Sequence, residues 1–351
     1  MERHPIPSNA SAAEPRIRLF PKPFHKSRHF GAFLICCALF VAGFALTALW
    51  QNANRTFGKN EEGTSVPTQE ENAPPIVTPN EPPTPEEGIV TIPNGATPIV
   101  TYDLSHLGQG IGYLNNETHY HPNVNVLLES DLTAKLTQEP LVLVLHTHTS
   151  EGYLKESATY LEGELGEITY TQNEEQNMLA VGKAFISALN KNGITAIHCT
   201  VMHDASGLSG SYERAAQSIQ FFVTHYPSIR YVVDLHRDAI LTTEGEYVRA
   251  ATEIDGKSVA QILPVVGSNA GGWEHDTWER NLALALQMRQ VLNQSDTALC
   301  RPVMLRKNTY NQEMAPYAIL LEIGTGANSI DEAIAAATLA GEAFAKVILS
   351  H

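Results

Sequence analysis

Residues 96–351 are predicted to form an α/β domain with a largely parallel central sheet flanked by helices. Short apolar runs alternate along this region with segments whose apolar residues recur at helical spacing. Residues 141–145 (LVLVL) form a continuous apolar run after Pro140, which is typical of a buried strand. Residues 276–292 carry apolar side chains along one side of a long helix. This alternation predicts parallel strands connected by helices.

The other strands are predicted from the same kind of apolar run. They span residues 194–201, 229–235, 258–267, 302–305 and 318–323. Helical spacing predicts helices over 177–191, 212–224 and 330–349, and Asn192-Gly193 closes the first of them. Sites in such sheets lie beyond the carboxyl ends of the strands. We therefore expect the functional residues to follow the predicted strands.

The first 95 residues differ in composition from this domain. Residues 31–50 form an uncharged apolar run of 20, about enough to cross a hydrocarbon core of roughly 30 Å. Residues 1–30 are predicted to be a basic cytoplasmic tail. Residues 51–95, crowded with Pro, Glu, Asn and Thr, are predicted to be a flexible linker. The chain is thus expected to be a single-pass cell-membrane protein whose catalytic domain is extracytoplasmic. A cleaved signal peptide is the alternative, although its apolar region is usually shorter.

Charge and cysteine content narrow the possible functions. The formal net charge is −15, and an acidic extracytoplasmic domain argues against nucleic acid as a partner. Cys36 and Cys37 lie in the apolar run, which leaves Cys199 and Cys300 in the domain. Their separation rules out a CxxC redox or zinc pattern, while both a disulfide and two buried free thiols stay open.

The first predicted strand runs directly into a cluster of potential metal ligands, His146, His148 and Glu151. If the strand continues through residue 148, both imidazoles project from the same face, because strand side chains repeat every second residue. Two imidazoles and a nearby carboxylate indicate a metal pocket. A pair of hydrogen-bonded structural histidines is the alternative, since HxH spacings are common.

A second strand delivers another histidine at its carboxyl end. The sequence VVDLHRD places Asp234 on the same strand face as His236, where the carboxylate could fix the tautomer of a ligand histidine. Arg237 and Asp238 could form an ordinary ion pair. Arg237 is also the candidate for steadying an oxyanion.

A third strand carries a carboxylate in an apolar setting. Glu322 interrupts the run AILLEIG, and a buried carboxylate needs a partner, a metal or a raised pKa. A raised pKa suits a general base or acid, although a structural salt bridge is the alternative reading. Together with the two histidine strands, this predicts a zinc site at which a carboxylate activates water for amide hydrolysis.

These motifs resemble one known family. The order LHTHTSEGY, NMLAVGKAF, DLHRDA, NTYNQEM and LLEIGTGANS is similar to stage II sporulation protein P, over nearly all of residues 98–351. That family comprises membrane-anchored peptidoglycan hydrolases and resembles the zinc N-acetylmuramoyl-L-alanine amidases. The resemblance implies Zn²⁺ as cofactor, His148 or His146 as first ligand, His236 as later ligand and Glu322 as catalytic carboxylate.

One departure from the amidases leaves the ligand set open. The usual Gly-His-Gly-Gly is replaced by His-Thr-His-Thr, and Glu151 or Glu174 could supply the carboxylate ligand. Of the two histidines, His148 is favoured.

The resemblance also implies a biological role. It implies cleavage of the amide between the muramic acid lactyl group and L-alanine, and cleavage of peptide cross-links. It further implies action during forespore engulfment, alongside stage II sporulation proteins D and M. A non-catalytic peptidoglycan-binding scaffold and a metal-free serine or cysteine hydrolase are the alternatives from other classes.

Overall fold

The computed structural model describes residues 92–106, 114–294 and 297–349. These residues fall within one compact unit, Thr84–His351. The predicted tail (1–30), the predicted membrane helix (31–50) and nearly all of the predicted linker (51–95) lie outside the described residues. Within the described ranges, no helix combines the length and apolarity needed to span a membrane.

Strands and helices alternate along the described part of the chain. The strands are β1 (Thr97–Tyr102), β2 (Leu114–Asn116), β3 (Val142–Leu145), β4 (Tyr160–Leu161), β5 (Ala196–His198), β6 (Tyr231–Asp238), β7 (Tyr247–Ile254), β8 (Lys257–Ala260), β9 (Ile262–Val266), β10 (Val303–Leu305) and β11 (Tyr317–Thr325). The helices are α1 (Val124–Leu128), α2 (Leu165–Thr169), α3 (Met178–Lys191), α4 (Ser211–His225), α5 (Trp278–Leu292) and α6 (Ile330–Leu349), with short 3₁₀ turns at Asn269–Gly271 and Gln312–Met314. The predicted α/β class is confirmed.

Local sequence signals explain where the helices begin and end. The side chain of Asn177 accepts a hydrogen bond from the Leu179 amide and caps α3. Gly193, with φ of 78°, follows the end of the same helix. At α6, Ser329 and Glu332 bond to each other's backbone N–H groups, which is a capping box.

Seven strands form the central sheet in the order β2-β10-β9-β11-β6-β3-β5. A smaller sheet has the order β4-β1-β7-β8. β11 follows all the other strands in the chain, yet it lies inside the central sheet, between β9 and β6.

The central sheet is mixed, so the expected largely parallel arrangement is wrong. β9 runs antiparallel to β11, and two of the three pairings in the smaller sheet are antiparallel. The reversal begins at the hairpin between β7 and β8, where Asp255 and Gly256 both have positive φ, 51° and 70°. An Asp-Gly pair between strands is the usual signal for such a turn. The predicted strand 258–267 is accordingly two strands, β8 and β9, separated by Gln261.

Alternate residues of the central strands face opposite sides of the sheet. On the side called here the rear face, Val233 and Leu321 share a core with α3, α5 and α6, represented by Phe185, Leu284 and Phe344. On the front face, α4 packs Ala215 and Ile219 against Leu143 and Val232. The front face is also where β6 and β11 present polar side chains.

Replacing Gly341 by Ala should destabilise the fold, because α3 and α6 approach closely there. A Cβ at position 341 would lie 2.6 Å from the Phe185 carbonyl oxygen and 2.8 Å from the Ala188 Cβ. We expect Gly341→Ala to lower the free energy of unfolding by about 1–3 kcal/mol despite the better helix propensity of Ala. Urea denaturation of the full chain measures the change. Gly166→Ala in α2, whose added Cβ has no atom within 4 Å, is the matched control and should be neutral or stabilising. Equal effects of the two substitutions would contradict the packing account.

Candidate functional site

The centre of the site lies on the front face, where β6 and β11 run side by side. The Cα atoms of His236 and Glu322 are register partners in this parallel pair. Asp234 precedes His236 by two residues and shares its face. Neighbouring strands therefore hold an imidazole and two carboxylates in fixed positions.

His236 lies between two carboxylates. Its Nε2 is 3.1 Å from Asp234 Oδ1, and its Nδ1 is 3.5 Å from Glu151 Oε2. Burial by itself lowers the pKa of His236, but the two carboxylates outweigh burial and hold the pKa well above its usual range. The Nε2 contact has ion-pair distance without hydrogen-bond geometry, so this buried atom makes no hydrogen bond to any described residue.

Asp234 is fixed by the turn that follows β3. Thr147 donates to it twice, from its backbone N–H at 2.9 Å and from its hydroxyl at 2.6 Å. Although burial raises the pKa of Asp234, the neighbouring His236 and these donors hold it below its usual value. Asp234 is therefore ionised and links the β3 turn to β6.

Glu322 differs from Asp234 because its pKa lies above the usual value of a carboxyl group. Burial raises its pKa to about 8, and the nearby His236 offsets this only in part. Its Oε2 is buried and has no hydrogen-bond partner among the described residues. This carboxyl group can therefore exchange a proton near neutral pH, as a general base or acid requires.

His148 and Glu151 enter the site from the turn after β3. The His148 ring centroid lies 5.3 Å from that of His236, edge to face. Burial lowers the pKa of His148 and favours its neutral form. Contact with His236 lowers the pKa of Glu151 despite its burial, and Glu151 Oε2 also accepts from the Arg237 backbone N–H at 3.2 Å.

His146 occupies a different place from His148. β3 ends at Leu145, so the condition for two histidines on one face is not met. The His146 Nε2 lies 2.9 Å from His198 Nε2, and a Cβ at Gly182 of α3 would lie 2.6 Å from it. His146 thus packs on the rear face. The turn carries His148 to the front instead.

Two other predicted site residues, Glu174 and Arg237, do not place their side chains beside His236. Glu174 is exposed, four residues before the start of α3. Arg237 directs its guanidinium away from His236, because Nε donates to the Gly152 carbonyl at 2.9 Å and Nη2 to Thr169. Asp238 pairs with Arg301 at 2.8 Å rather than with Arg237.

Ser211 and Tyr212, at the start of α4, adjoin His148 although sequence reasoning missed them. The Ser211 hydroxyl donates to the Leu208 carbonyl at 2.8 Å and lies 3.3 Å from His148 Nδ1. The Tyr212 ring packs 5.6 Å from the His148 ring and 6.4 Å from the His236 ring. The available signal was Gly210, whose φ of 77° allows the chain to turn into the helix at this point.

The hydrogen bonds of Ser211 fix the tautomer of His148. The shorter distance favours donation of the hydroxyl proton to the Leu208 carbonyl, which leaves the Ser211 oxygen to accept from His148 Nδ1. The proton of the neutral His148 ring then resides on Nδ1. Its Nε2 keeps a free lone pair, which is the form that binds a metal ion.

The two domain cysteines, and the two serines nearest the predicted ligands, are buried or engaged in hydrogen bonds. Cys199 and Cys300 are buried free thiols, and burial raises the pKa of Cys300 to about 12. Ser150 donates its hydroxyl proton to Asp204 at 3.0 Å, and Ser211 is 1% exposed. The open alternative of two free thiols is the arrangement observed.

The donor types fit a zinc ion. His148, His236 and Glu151 supply imidazole nitrogens and a carboxylate, the ligands zinc prefers, and two buried polar atoms at the cluster lack hydrogen-bond partners. Within the described ranges, however, no group of three or more His, Cys, Asp or Glu side chains is close enough together to hold a metal ion as it stands. The residues fit zinc in their chemistry, and their coordination geometry is not specified.

Comparison with known proteins identifies the family. The sequence profile of stage II sporulation protein P matches residues 56–347, which is most of the chain. The chain belongs to this family. The match begins inside the segment predicted to be a linker.

One relative in that family is stage II sporulation protein P of Bacillus subtilis (strain 168). It is 25% identical over 218 residues, which cover 59% of this chain and 51% of the relative. The chain therefore spans about half the length of the relative that it matches.

Two solved structures match part of the chain at low similarity. An N-acetylmuramoyl-L-alanine amidase from Clostridium difficile 630 is 15% identical, with coverage of 61% of this chain and 97% of that chain and a TM-score of 0.37. The CwlD amidase from Clostridioides difficile, in complex with the GerS lipoprotein, is 11% identical, with coverage of 59% and 98% and a TM-score of 0.35. Likeness at this level carries no conclusion about activity.

Removing the Ser211 hydroxyl should allow the ring proton of His148 to move from Nδ1 to Nε2. In the metal-free full chain, we expect His148 to hold its proton on Nδ1, and Ser211→Ala to shift it measurably toward Nε2. Nitrogen-15 NMR of the imidazole distinguishes the two forms. Ser211→Thr, which keeps the hydroxyl, is the control and should preserve the Nδ1 form. A wild-type ring protonated on Nε2 would be incompatible with this hydrogen-bond pattern.

Replacing Glu322 by Gln should stabilise the metal-free protein in a pH-dependent way. The pKa of Glu322 is about 8 in the folded chain and about 4.3 when unfolded. The unfolded state therefore loses this proton first, and the wild type loses stability as pH rises from about 4 to 8. In EDTA, we expect Glu322→Gln to raise Tm relative to wild type by at least about 2 °C more at pH 8.5 than at pH 5. Calorimetry measures both values. A Tm difference that does not change with pH would show that Glu322 is not held protonated.

Proposed function

We propose that this chain is a zinc-dependent peptidoglycan hydrolase that acts in sporulation. Its proposed reaction is hydrolysis of the amide between the muramic acid lactyl group and L-alanine, with peptide cross-links as a second substrate. Membership of the stage II sporulation protein P family supports the biological setting. The reaction class is argued from the side chains of the site.

The observation that carries the proposal is the pairing of Glu322 with His236. A carboxyl group with pKa near 8 lies beside an imidazole whose Nε2 makes no hydrogen bond to described residues. In a structural ion pair, Glu322 Oε2 and His236 Nε2 would be hydrogen-bonded to each other. Both atoms are instead without a hydrogen-bond partner among the described residues. Unsatisfied buried polar groups are costly and are typical of reactive sites.

His148, His236 and Glu151 would hold the zinc ion. When bound, zinc supplies Lewis acidity that polarises a carbonyl and lowers the pKa of a coordinated water. Asp234 lies at ion-pair distance from His236 Nε2, and Ser211 contacts His148 Nδ1, so both imidazoles have a polar neighbour that would hold the ring in place.

Glu322 would move the proton during hydrolysis. It accepts a proton from the attacking water, whose oxygen forms the new bond to the carbonyl carbon. The C–N bond then breaks, and Glu322 donates the same proton to the leaving amine. The carboxyl group is unchanged at the end of the cycle.

In this proposal Arg237 positions Glu151 and does not touch the oxyanion. Its N–H groups already serve the Gly152 and Thr169 carbonyls, and its backbone amide serves Glu151. The Tyr212 hydroxyl is the better candidate for steadying the oxyanion. Burial raises the pKa of Tyr212 far above its usual value, so the phenol stays protonated as a donor.

The cellular setting follows from the resemblance and the sequence. A membrane helix at 31–50 would hold the domain outside the cytoplasm, next to peptidoglycan. Action during engulfment and cooperation with stage II sporulation proteins D and M are part of the same proposal. A scaffold that binds peptidoglycan without cutting it is the competing function, and the experiment below separates the two.

Two substitutions should separate metal binding from catalysis. We expect Glu322→Gln to keep the zinc content of the wild type while release of peptide from purified cell walls falls at least about 10²-fold, since a general base contributes 10²–10⁴-fold. We expect His236→Ala to lose zinc and activity together. Elemental analysis and amino-group release measure the two quantities.

EDTA treatment and zinc restoration form the control, because only a zinc enzyme loses and regains activity. Release by Glu322→Gln at the wild-type rate would remove Glu322 from catalysis, and full zinc occupancy in His236→Ala would exclude that ligand. A wild type that sediments with walls but releases nothing would support the scaffold.

A further inference from the structure

A pocket lies at Ser150, the residue before Glu151 in the cluster of His148, Glu151, His236 and Glu322. It has a volume of about 240 Å³, room for one side chain rather than a whole ligand. Asp204 and Ser150 line it together with polar residues such as Gln172, while Leu208 and Tyr170 supply apolar surface. Leu208 is 53% exposed and Tyr170 38% exposed, so both lie toward solvent.

Asp204 is the acidic group of this pocket, and it forms no ion pair within 4 Å among the described residues. Its side chain accepts hydrogen bonds from the Ser150 backbone N–H and hydroxyl, at 3.0–3.2 Å. It is 7% exposed. Both Ser150 donors reach Oδ1, and only the backbone N–H reaches Oδ2, so Oδ2 keeps an unused acceptor position. A nearly buried carboxylate with spare acceptors favours a cation.

The nearest basic side chain on α4 is committed elsewhere. Arg214 donates from Nε to the His203 carbonyl, from Nη1 to Ser209 at 3.1 Å and from Nη2 to Gly207 at 2.6 Å. It forms no ion pair with Asp204 within the described residues. No Lys, Arg or His lines the pocket. The carboxylate is therefore available to a cation from outside.

The pocket is within reach of a substrate held at the cluster. Ser150 lines the pocket, and the next residue, Glu151, contacts His236. Tyr170 lines the pocket on one side and stacks on Arg237, whose guanidinium lies 5.2 Å from its ring centroid. Consecutive residues of an extended peptide advance about 3.3–3.6 Å, so a side chain a few residues from the scissile amide can enter.

We propose that this pocket, with Asp204 as its charged group, binds a primary ammonium group carried by a side chain of the substrate's peptide. The inference rests on the proposed function and specifies one feature of its substrate. Leu208 and Tyr170 contact the methylene stem, and Asp204 accepts hydrogen bonds from the ammonium group. The pocket therefore selects peptides that contain a free diamino-acid side chain.

Binding of two synthetic ligands to the full chain tests the proposal. The probes are N-acetylmuramoyl-L-alanyl-D-isoglutaminyl-L-lysine and the same compound acetylated on the lysine Nε, measured calorimetrically with Glu322→Gln to prevent cleavage. We expect the free amine to bind roughly tenfold tighter or more, the scale of a hydrogen bond to a charged group. Adding Asp204→Asn should reduce that ratio to within about twofold of one, since a neutral amide pairs with the ammonium far more weakly.

Matched variants make the outcome decisive. Glu253→Gln removes an exposed carboxylate on β7 and should keep the preference, which controls for net charge. Leu208→Lys places a competing ammonium at the exposed rim and should abolish the preference even if Asp204→Asn fails to fold. Equal affinities for both probes, or no detectable binding of either, would overturn the proposal, as would a preference unchanged by Asp204→Asn.

Failure of this inference differs from failure of the proposed function. If the pocket is misassigned, the wild type still releases peptide from walls, but the two probes bind alike. If the hydrolase function is wrong, walls stay uncut while the amine preference and its dependence on Asp204 persist.

Discussion

The register between β6 and β11 is the constraint on which the site depends. It places His236 beside Glu322, and the period of two puts Asp234 on the same face. A slip of one residue in β6 would turn Asp234 and His236 toward the apolar rear face, where Val233 now packs, and the same slip in β11 would turn Glu322 there. The same apolar residues that stabilise the rear core therefore also fix the chemistry of the front. The pairing of β6 with β11 therefore determines both the packing of the rear core and the positions of the polar side chains on the front face.

Charges buried in this way need a specific distribution of protons. Asp234 and Glu151 are ionised because His236 and backbone or hydroxyl donors compensate them. Glu322 has no such donor at Oε2 and keeps its proton to a higher pH. Carboxylates in one small cluster thus acquire different affinities for protons, which is how a site assigns acid, base and ligand roles to similar groups.

The sequence predicts the parts of this site that lie within regular strands. His236 and Glu322 follow or interrupt apolar runs that predict strands, and in the structure they lie two and three residues before the ends of β6 and β11. The difference between His146 and His148 could not be predicted, because it depends on where β3 ends by hydrogen bonding rather than on spacing. Ser211 was missed for a related reason: a glycine-rich loop sets its position, and nothing local specifies which histidine it meets.

The place of β11 in the sheet has a consequence for how activity arises during folding. This strand is the last of the chain's described strands to be synthesised, yet it must insert between β9 and β6 to bring Glu322 to His236. That pairing joins residues more than eighty positions apart, a slow and non-local step. Partly folded chains that have formed β3 and β6 still lack the carboxylate of β11. The pair of Glu322 and His236 is therefore absent until the sheet is complete, so any chemistry that needs both side chains waits for the last strand.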